Sequence, residues 1–229
     1  MRLDQFLCHA TGLTRSLAQR EIRRGEVQVE QTVVKDPSVH VSATTHVSYR
    51  GQIVAPPVPC YLMLNKPLGY VCAARDVQHR SVLELLDVPK ATHLHIAGRL
   101  DLDATGLLLL TDDGAWSHGV TAPRREVVKV YRVTLAEPLP ASAVQAFARG
   151  VQLQDEPKPC RPAIIERLAD TDVRVSITEG KYHQVKRMFA AVGNGVVALH
   201  RERIGAVALD AALAPGASRP LTAAEIESF

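Results

Sequence analysis

Three closely spaced prolines, Pro56, Pro57 and Pro59, divide this chain into two parts. Proline fixes φ and has no amide proton, so neither a helix interior nor a central strand runs through such a stretch. The segment from Gly51 to Cys60 therefore reads as a linker. The expected organisation is a first unit over residues 1–54, a Pro-rich linker over 55–60 and a second unit over 61–229.

The two sides differ in pattern. In the first unit Leu3, Phe6 and Leu7 have helical spacing. Thr14 is a good N-cap for a second helix, Arg15 to Arg24, which stops at Gly25. Glu26 to Val29 and Gln31 to Val34 then read as a hairpin. The second helix carries Arg15, Arg20, Arg23 and Arg24 beside one nearby acid, Glu21. Beyond the prolines the apolar segments lengthen. Tyr61 to Leu64 predicts a strand ending at Asn65-Lys66-Pro67. Leu107 to Thr111 is a continuous apolar run closed by the turn signal Asp112-Asp113-Gly114, and Val127–Leu135 and Val173–Thr178 are further strands. Helices are expected at Ser142–Arg149 and at Gln184–Val192. In the latter, Val185, Met188, Phe189 and Val192 form one apolar stripe. The fold class that follows is α+β: a small unit of helices plus a β-hairpin, then a mixed, mostly antiparallel sheet with flanking helices.

Composition removes several classes. An apolar content of 46% is enough for a sizeable core, but no stretch approaches the ~20 apolar residues that span a bilayer. The N-terminus lacks the apolar run of a secretory signal. Cys8, Cys60, Cys72 and Cys160 match neither a metal spacing nor a disulfide framework, so a reduced, cytoplasmic protein is expected. Net charge is only +3. Its distribution says more, because basic residues gather at Arg15–Arg24, at Arg124–Arg132, and at Lys181, Lys186, Arg187, Arg201 and Arg203. Such clusters can set up a basic surface on a nearly neutral protein.

The strongest local signal is Gly98-Arg99-Leu100-Asp101-Leu102-Asp103-Ala104-Thr105-Gly106, running straight into the Leu-rich strand. An acidic loop feeding a buried strand holds a carboxylate against a rigid scaffold. A calcium loop would use Asp101, Asp103, Thr105 and Gly106 at its first, third, fifth and sixth positions. The twelfth residue is then Asp112 instead of Glu, and the flanks read as strand instead of helix. A glycosidase pair is a second reading, since Asp101 and Asp103 lie roughly 6–7 Å apart if extended. Aromatic content of 4% offers little for stacking a sugar. A solvated acidic turn without chemistry is the third.

A further pattern joins this loop to the rest of the chain. Gly98-Arg99-Leu100-Asp101 with its strand, Lys129-Val130-Tyr131, and Glu179-Gly180-Lys181-Tyr182-His183-Gln184-Val185-Lys186-Arg187-Met188 resemble, in order, the signature segments of bacterial pseudouridine synthases. Leu64-Asn65-Lys66-Pro67-Leu68-Gly69-Tyr70 is similar to that family's opening strand and turn. The first unit resembles the alpha-L RNA-binding domain shared with a small-subunit ribosomal protein. Together the likeness covers nearly the whole chain.

The resemblance implies a uridine-to-pseudouridine isomerase with Asp101 as catalytic carboxylate. Lys186 would be its basic partner, as a compact point charge where related families use an arginine fork. Tyr131 would stack on the target base. Arg99 would fill the space left by an extruded base, and Lys181, His183, Gln184 and Arg187 would bind RNA. Arg15, Arg20, Arg23 and Arg24 would give sequence-independent phosphate contacts. The implied partner is 16S ribosomal RNA or a partly assembled small-subunit particle, bound by a monomer away from membranes. No metal and no cofactor are expected, because the isomerisation needs neither redox change nor metal activation. Large-subunit RNA as substrate, and a catalytically inert ribosome-assembly protein, remain as alternatives.

Overall fold

The computed structural model describes residues 1–42, 44–89 and 91–229. The chain divides into two compact units, Met1–Pro59 and Cys60–Phe229.

In the first unit α1 spans Leu3–Thr11 and ends at Gly12, whose φ of 82° is the left-handed conformation of a helix C-cap. α2 spans Arg15–Arg23 and begins where the Thr14 hydroxyl accepts the Leu17 amide at 3.4 Å. Leu3, Phe6 and Leu7 of α1 bury with Ala18 and Ile22 of α2. Four short strands complete the unit: β1 (Val27–Val29), β2 (Thr32–Val33), β3 (Val47–Tyr49) and β4 (Gln52–Val54). They pair antiparallel in the order β2-β1-β3-β4.

The hairpin of β1 and β2 is the expected one, whereas β3 and β4 add a second. β4 falls inside the expected first unit, residues 1–54, and only the broader reading of Gly51–Cys60 as linker begins too early. Arg50 and Gly51 make the turn, with φ of 51° and 77°. A two-residue hairpin turn with both positions left-handed matches the twist of its strands.

Two acids are buried here, and they engage part of the arginine helix. Asp4 accepts hydrogen bonds from Arg2, from Arg15 at 3.2 Å and from Gln19 at 2.8 Å. Burial by itself would raise its pKa, but these donors outweigh that and hold the carboxyl well below the usual range. Glu21 accepts from Arg50 at 2.6 Å, the Tyr49 hydroxyl at 3.1 Å and Arg24 at 3.2 Å.

The second unit runs β5 (Tyr61–Lys66), β6 (Tyr70–Val71), β7 (Arg80–Ser81), β8 (His95–Ala97), β9 (Ala104–Thr111), α3 (Gly114–Thr121), β10 (Lys129–Leu135), α4 (Ala141–Arg149), β11 (Ile164–Arg167), β12 (Asp172–Ile177), α5 (Gln184–Ala191), β13 (Val196–Ile204), β14 (Val207–Ala208), β15 (Ser218–Pro220) and α6 (Ala223–Glu227). The main sheet has the order β11-β12-β10-β13-β9-β5-β15, with β8 beside β9 and β14 beside β13. Its pairings are antiparallel except between β13 and β9.

The four consecutive leucines of β9 have a simple cause: both faces of that strand are covered. Leu108 and Leu110 face a core built with Leu62, Leu64, Phe147 of α4 and Phe189 of α5. Leu107 and Leu109 face the opposite core, with Met63, Trp116 of α3 and Ile204. The turn signal at Asp112-Asp113-Gly114 is also a helix start, since the Asp113 carboxylate accepts the amides of Ala115 at 2.9 Å and Trp116 at 3.1 Å. No described helix is long and apolar enough to cross a membrane.

Candidate active site

The loop between β8 and β9 carries Asp101, and its backbone is held from two sides by buried cations. Lys66, with no exposed surface, comes from the end of β5. Its ammonium donates to the carbonyls of Pro67 at 3.1 Å, Leu102 at 3.3 Å and Ala104 at 2.6 Å. Burial pushes the Lys66 pKa down, and the nearby Cys72, Asp101 and Asp103 counter that.

Arg201 of β13 is 1% exposed and approaches from the other side. Its guanidinium donates to the carbonyls of Gly98 at 2.7 Å, Arg99 at 3.3 Å and Leu107 at 2.8 Å. The Leu100 amide donates to the Cys72 sulfur at 3.3 Å, and the Gly69 amide to the Leu102 carbonyl at 3.0 Å. A carboxylate mounted on a loop so fully tied has little freedom to drift.

Around that carboxylate lies a cleft of about 500 Å³ whose lining includes Asp101, Arg99, Lys129, Tyr131, Tyr182 and His183. The Asp101 side chain is 24% exposed. The Lys186 ammonium stands 3.6 Å from one of its oxygens, and His183 Nε2 stands 3.5 Å from the other. Lys186, on α5, is shared: it makes its shorter contact with Asp103. That hydrogen bond holds the Asp103 carboxyl below its ordinary pKa. Asp103 itself is 70% exposed, so it faces solvent where Asp101 faces the cleft.

Tyr131 is buried on β10, with its ring 5.9 Å beneath the Arg201 guanidinium and its hydroxyl 3.5 Å from an Arg201 nitrogen. The same strand supplies Lys129, whose pKa is lowered by burial first and by the charge of Arg201 second. The structure thus brings Asp101, Lys186, His183 and Tyr131 into one neighbourhood, with the Arg99 side chain exposed at the cleft wall.

The remaining residues of the α5 region sit differently. Gln184 is buried, and its amide is committed to the Lys181 backbone at 2.8 Å and to Glu179 at 2.7 Å. Lys181 and Arg187 both pair with Glu156, at 3.1 and 3.2 Å. These three brace the turn that presents Tyr182 and His183.

Arg201 corrects the sequence reading. Counted there among the basic residues of a surface cluster, it is the largest fully buried side chain among the described residues. No regular alternation marked it as inward: in Val196–Ile204 the buried positions are Leu199, Arg201 and Ile204.

Comparison with known proteins bears on both units. A family model described as RNA pseudouridylate synthase matches residues 60–191, and an S4 domain model matches residues 1–47. Ribosomal small subunit pseudouridine synthase A of Escherichia coli is 52% identical over 100% of this chain and 99% of its own length. The protein of the same name from Vibrio cholerae is 48% identical with the same coverage. A solved crystal structure of a pseudouridylate synthase matches with a TM-score of 0.73 at 46% identity, covering 100% of this chain and 99% of that one.

Proposed function

This chain belongs to the RNA pseudouridylate synthase family, and on that premise we propose that it isomerises a specific uridine of small-subunit ribosomal RNA within a partly assembled particle. The observation that carries the catalytic assignment is the Asp101 carboxylate, fixed on its loop and exposed to a cleft, with Lys186 and His183 both within 3.6 Å.

The reaction breaks the N1–C1′ bond, turns the detached uracil and joins C5 to C1′. The proton on C5 is lost and N1 gains one, so atoms balance without a second substrate. Asp101 supplies the anionic group beside the sugar. The Lys186 ammonium, 3.6 Å from that carboxylate, supplies its counter-charge. Tyr131 lies under the base, where a stack worth about 1–3 kcal/mol keeps the free uracil from escaping while it rotates. Reaching a base inside folded RNA requires unstacking it, at a cost of a few kcal/mol. Arg99, exposed at the cleft wall, takes up the vacated space. The chain acts as a monomer in the cytoplasm.

In the first unit Arg20, Arg23 and Arg24 contact RNA phosphates. Arg15 and Arg24 contribute less than Arg23, because part of each guanidinium is occupied, by Asp4 and by Glu21. The small-subunit substrate is favoured by the full-length similarity to proteins named for that RNA.

The test is Asp101→Asn, an isosteric change that removes the charge. Turnover should be abolished while RNA affinity stays within a few-fold of wild type. Retained turnover would contradict the role of Asp101, and a collapse of binding would move it from chemistry to recognition.

A further inference from the structure

Tyr182 is the exposed member of the chain's five tyrosines, all of which lie within the described residues; the residue is 73% exposed. One face of its ring lies on the imidazole of His183, with centroids 3.8 Å apart and planes 18° from parallel. The ring lines the same cleft as Asp101, and the imidazole it lies on has its Nε2 3.5 Å from that carboxylate. Its position is fixed through the backbone. His183 takes a left-handed φ of 47° at the start of α5. The Tyr182 carbonyl accepts from the Arg187 guanidinium at 3.1 Å, and the Gln184 side chain holds the Lys181 amide just before it.

A non-glycine residue in that conformation costs energy and is kept where the surroundings over-determine it. Here it stacks one aromatic ring on another and leaves the outer face of the tyrosine in water. Packing gains little from a ring so exposed. An open, flat, pre-positioned π-face beside a carboxylate that acts on a ribose suits the face of a second nucleobase.

We propose that Tyr182, backed by His183, is a stacking platform for the base of a nucleotide adjacent to the one on which Asp101 acts. It is a positioning and specificity residue for the reaction, and the inference rests on the reading that the cleft takes RNA. Stacking tolerates any base, so the platform fixes where the strand lies more than which base occupies it. Its contribution is independent of phosphate charge.

Binding of a short single-stranded oligouridylate to the full-length protein tests this apart from turnover, using the Asp101→Asn background. Tyr182→Ala should weaken binding about 5- to 150-fold, the range of one lost base stack. The plot of log affinity against log salt should shift in parallel, because no phosphate contact is lost. Tyr182→Phe and Tyr182→Trp, which keep the ring, should bind within about twofold of the parent. In the Asp101-containing enzyme, Tyr182→Ala should raise KM on ribosomal RNA with kcat little changed.

Unchanged affinity in Tyr182→Ala would overturn the platform. So would a loss in Tyr182→Phe equal to that in Tyr182→Ala, a flattened salt slope, or no binding of oligouridylate by the parent. If wild type isomerises no small-subunit uridine while the binding series behaves as described, the substrate assignment fails and the platform stands.

Discussion

At Gly106 the backbone of β9 passes so close to β13 that a side chain does not fit between them. A Cβ built there would lie 2.3 Å from the Arg201 carbonyl oxygen, and the residue's φ of 102° already disfavours any other amino acid. Gly106 therefore lets two parallel strands meet at the point where the Arg201 side chain turns toward the loop of Asp101. Gly106→Ala should destabilise the protein by about 3 kcal/mol or more, combining backbone strain with overpacking. Urea unfolding measures this, and turnover should fall with it because the loop moves with Arg201. An unchanged unfolding midpoint would mean that the strands part at no cost. The sequence marked Gly106 only as the end of an acidic loop and as the sixth position of a calcium-loop template. Its steric role depends on a strand of the same sheet almost a hundred residues away, and no local pattern carries that pairing.

At the scale of elements, the closing segment shows how charge holds a helix that is too short to hold itself. α6 spans five residues, and a helix of that length is not stable alone. Arg219 of β15 donates to both Glu225 oxygens, at 2.9 and 2.8 Å, and to Asp210 at 2.8 Å. The Trp116 indole reaches the same helix through the Ile226 carbonyl at 2.9 Å, and its ring meets Phe229 edge-on at 5.2 Å.

The Arg219 hydrogen bond, opposed by burial, brings the Glu225 pKa to about 2. An unfolded glutamate titrates near about 4.3, so in that interval the folded chain binds fewer protons than the unfolded one. The stabilisation is thus present above about 4.3 and is lost as pH falls through about 2. Trp116 is the single tryptophan, and its emission should shift to the red across this acid window. Glu225→Gln should start with a looser helix at neutral pH and lose that acid-dependent component. Identical profiles for both proteins would remove the ion pair from the account.

How far the elements were legible follows from the same physics. α2 was readable because Thr14 caps it and Gly25 follows it, and α5 because its apolar residues fall on one stripe. The leucines of β9 announced a buried strand. β3 and β4 were not readable: each is three residues long, and Gly51 served equally as a linker residue and a turn residue. β13 was hidden because its inward positions include Arg201, a charge that binary patterning assigns to the surface. The candidate catalytic carboxylate, tyrosine and lysine were legible through family resemblance. Lys66 and Arg201 as supports of the loop, and the exposure of the Tyr182 ring, needed coordinates, because each is defined by contacts far apart in sequence or by accessibility.

At the scale of the whole molecule, the chain carries an arginine-bearing S4 unit and a pseudouridine synthase unit whose cleft holds Asp101. A net charge of +3 leaves little for long-range attraction. On the proposed reading, RNA recognition rests on local features: the arginines of α2, the wall at Arg99 and the ring of Tyr182. The whole reading converges on one chemical event, the appearance of pseudouridine at one position of one RNA. Carbodiimide modification followed by primer extension detects it directly. Small- and large-subunit ribosomal RNA, free and in assembling particles, would be treated with wild type and with Asp101→Asn. The account predicts a new stop in small-subunit RNA with wild type only, strongest in the partly assembled particle. A stop confined to large-subunit RNA, or no stop on any substrate despite RNA binding, would contradict it.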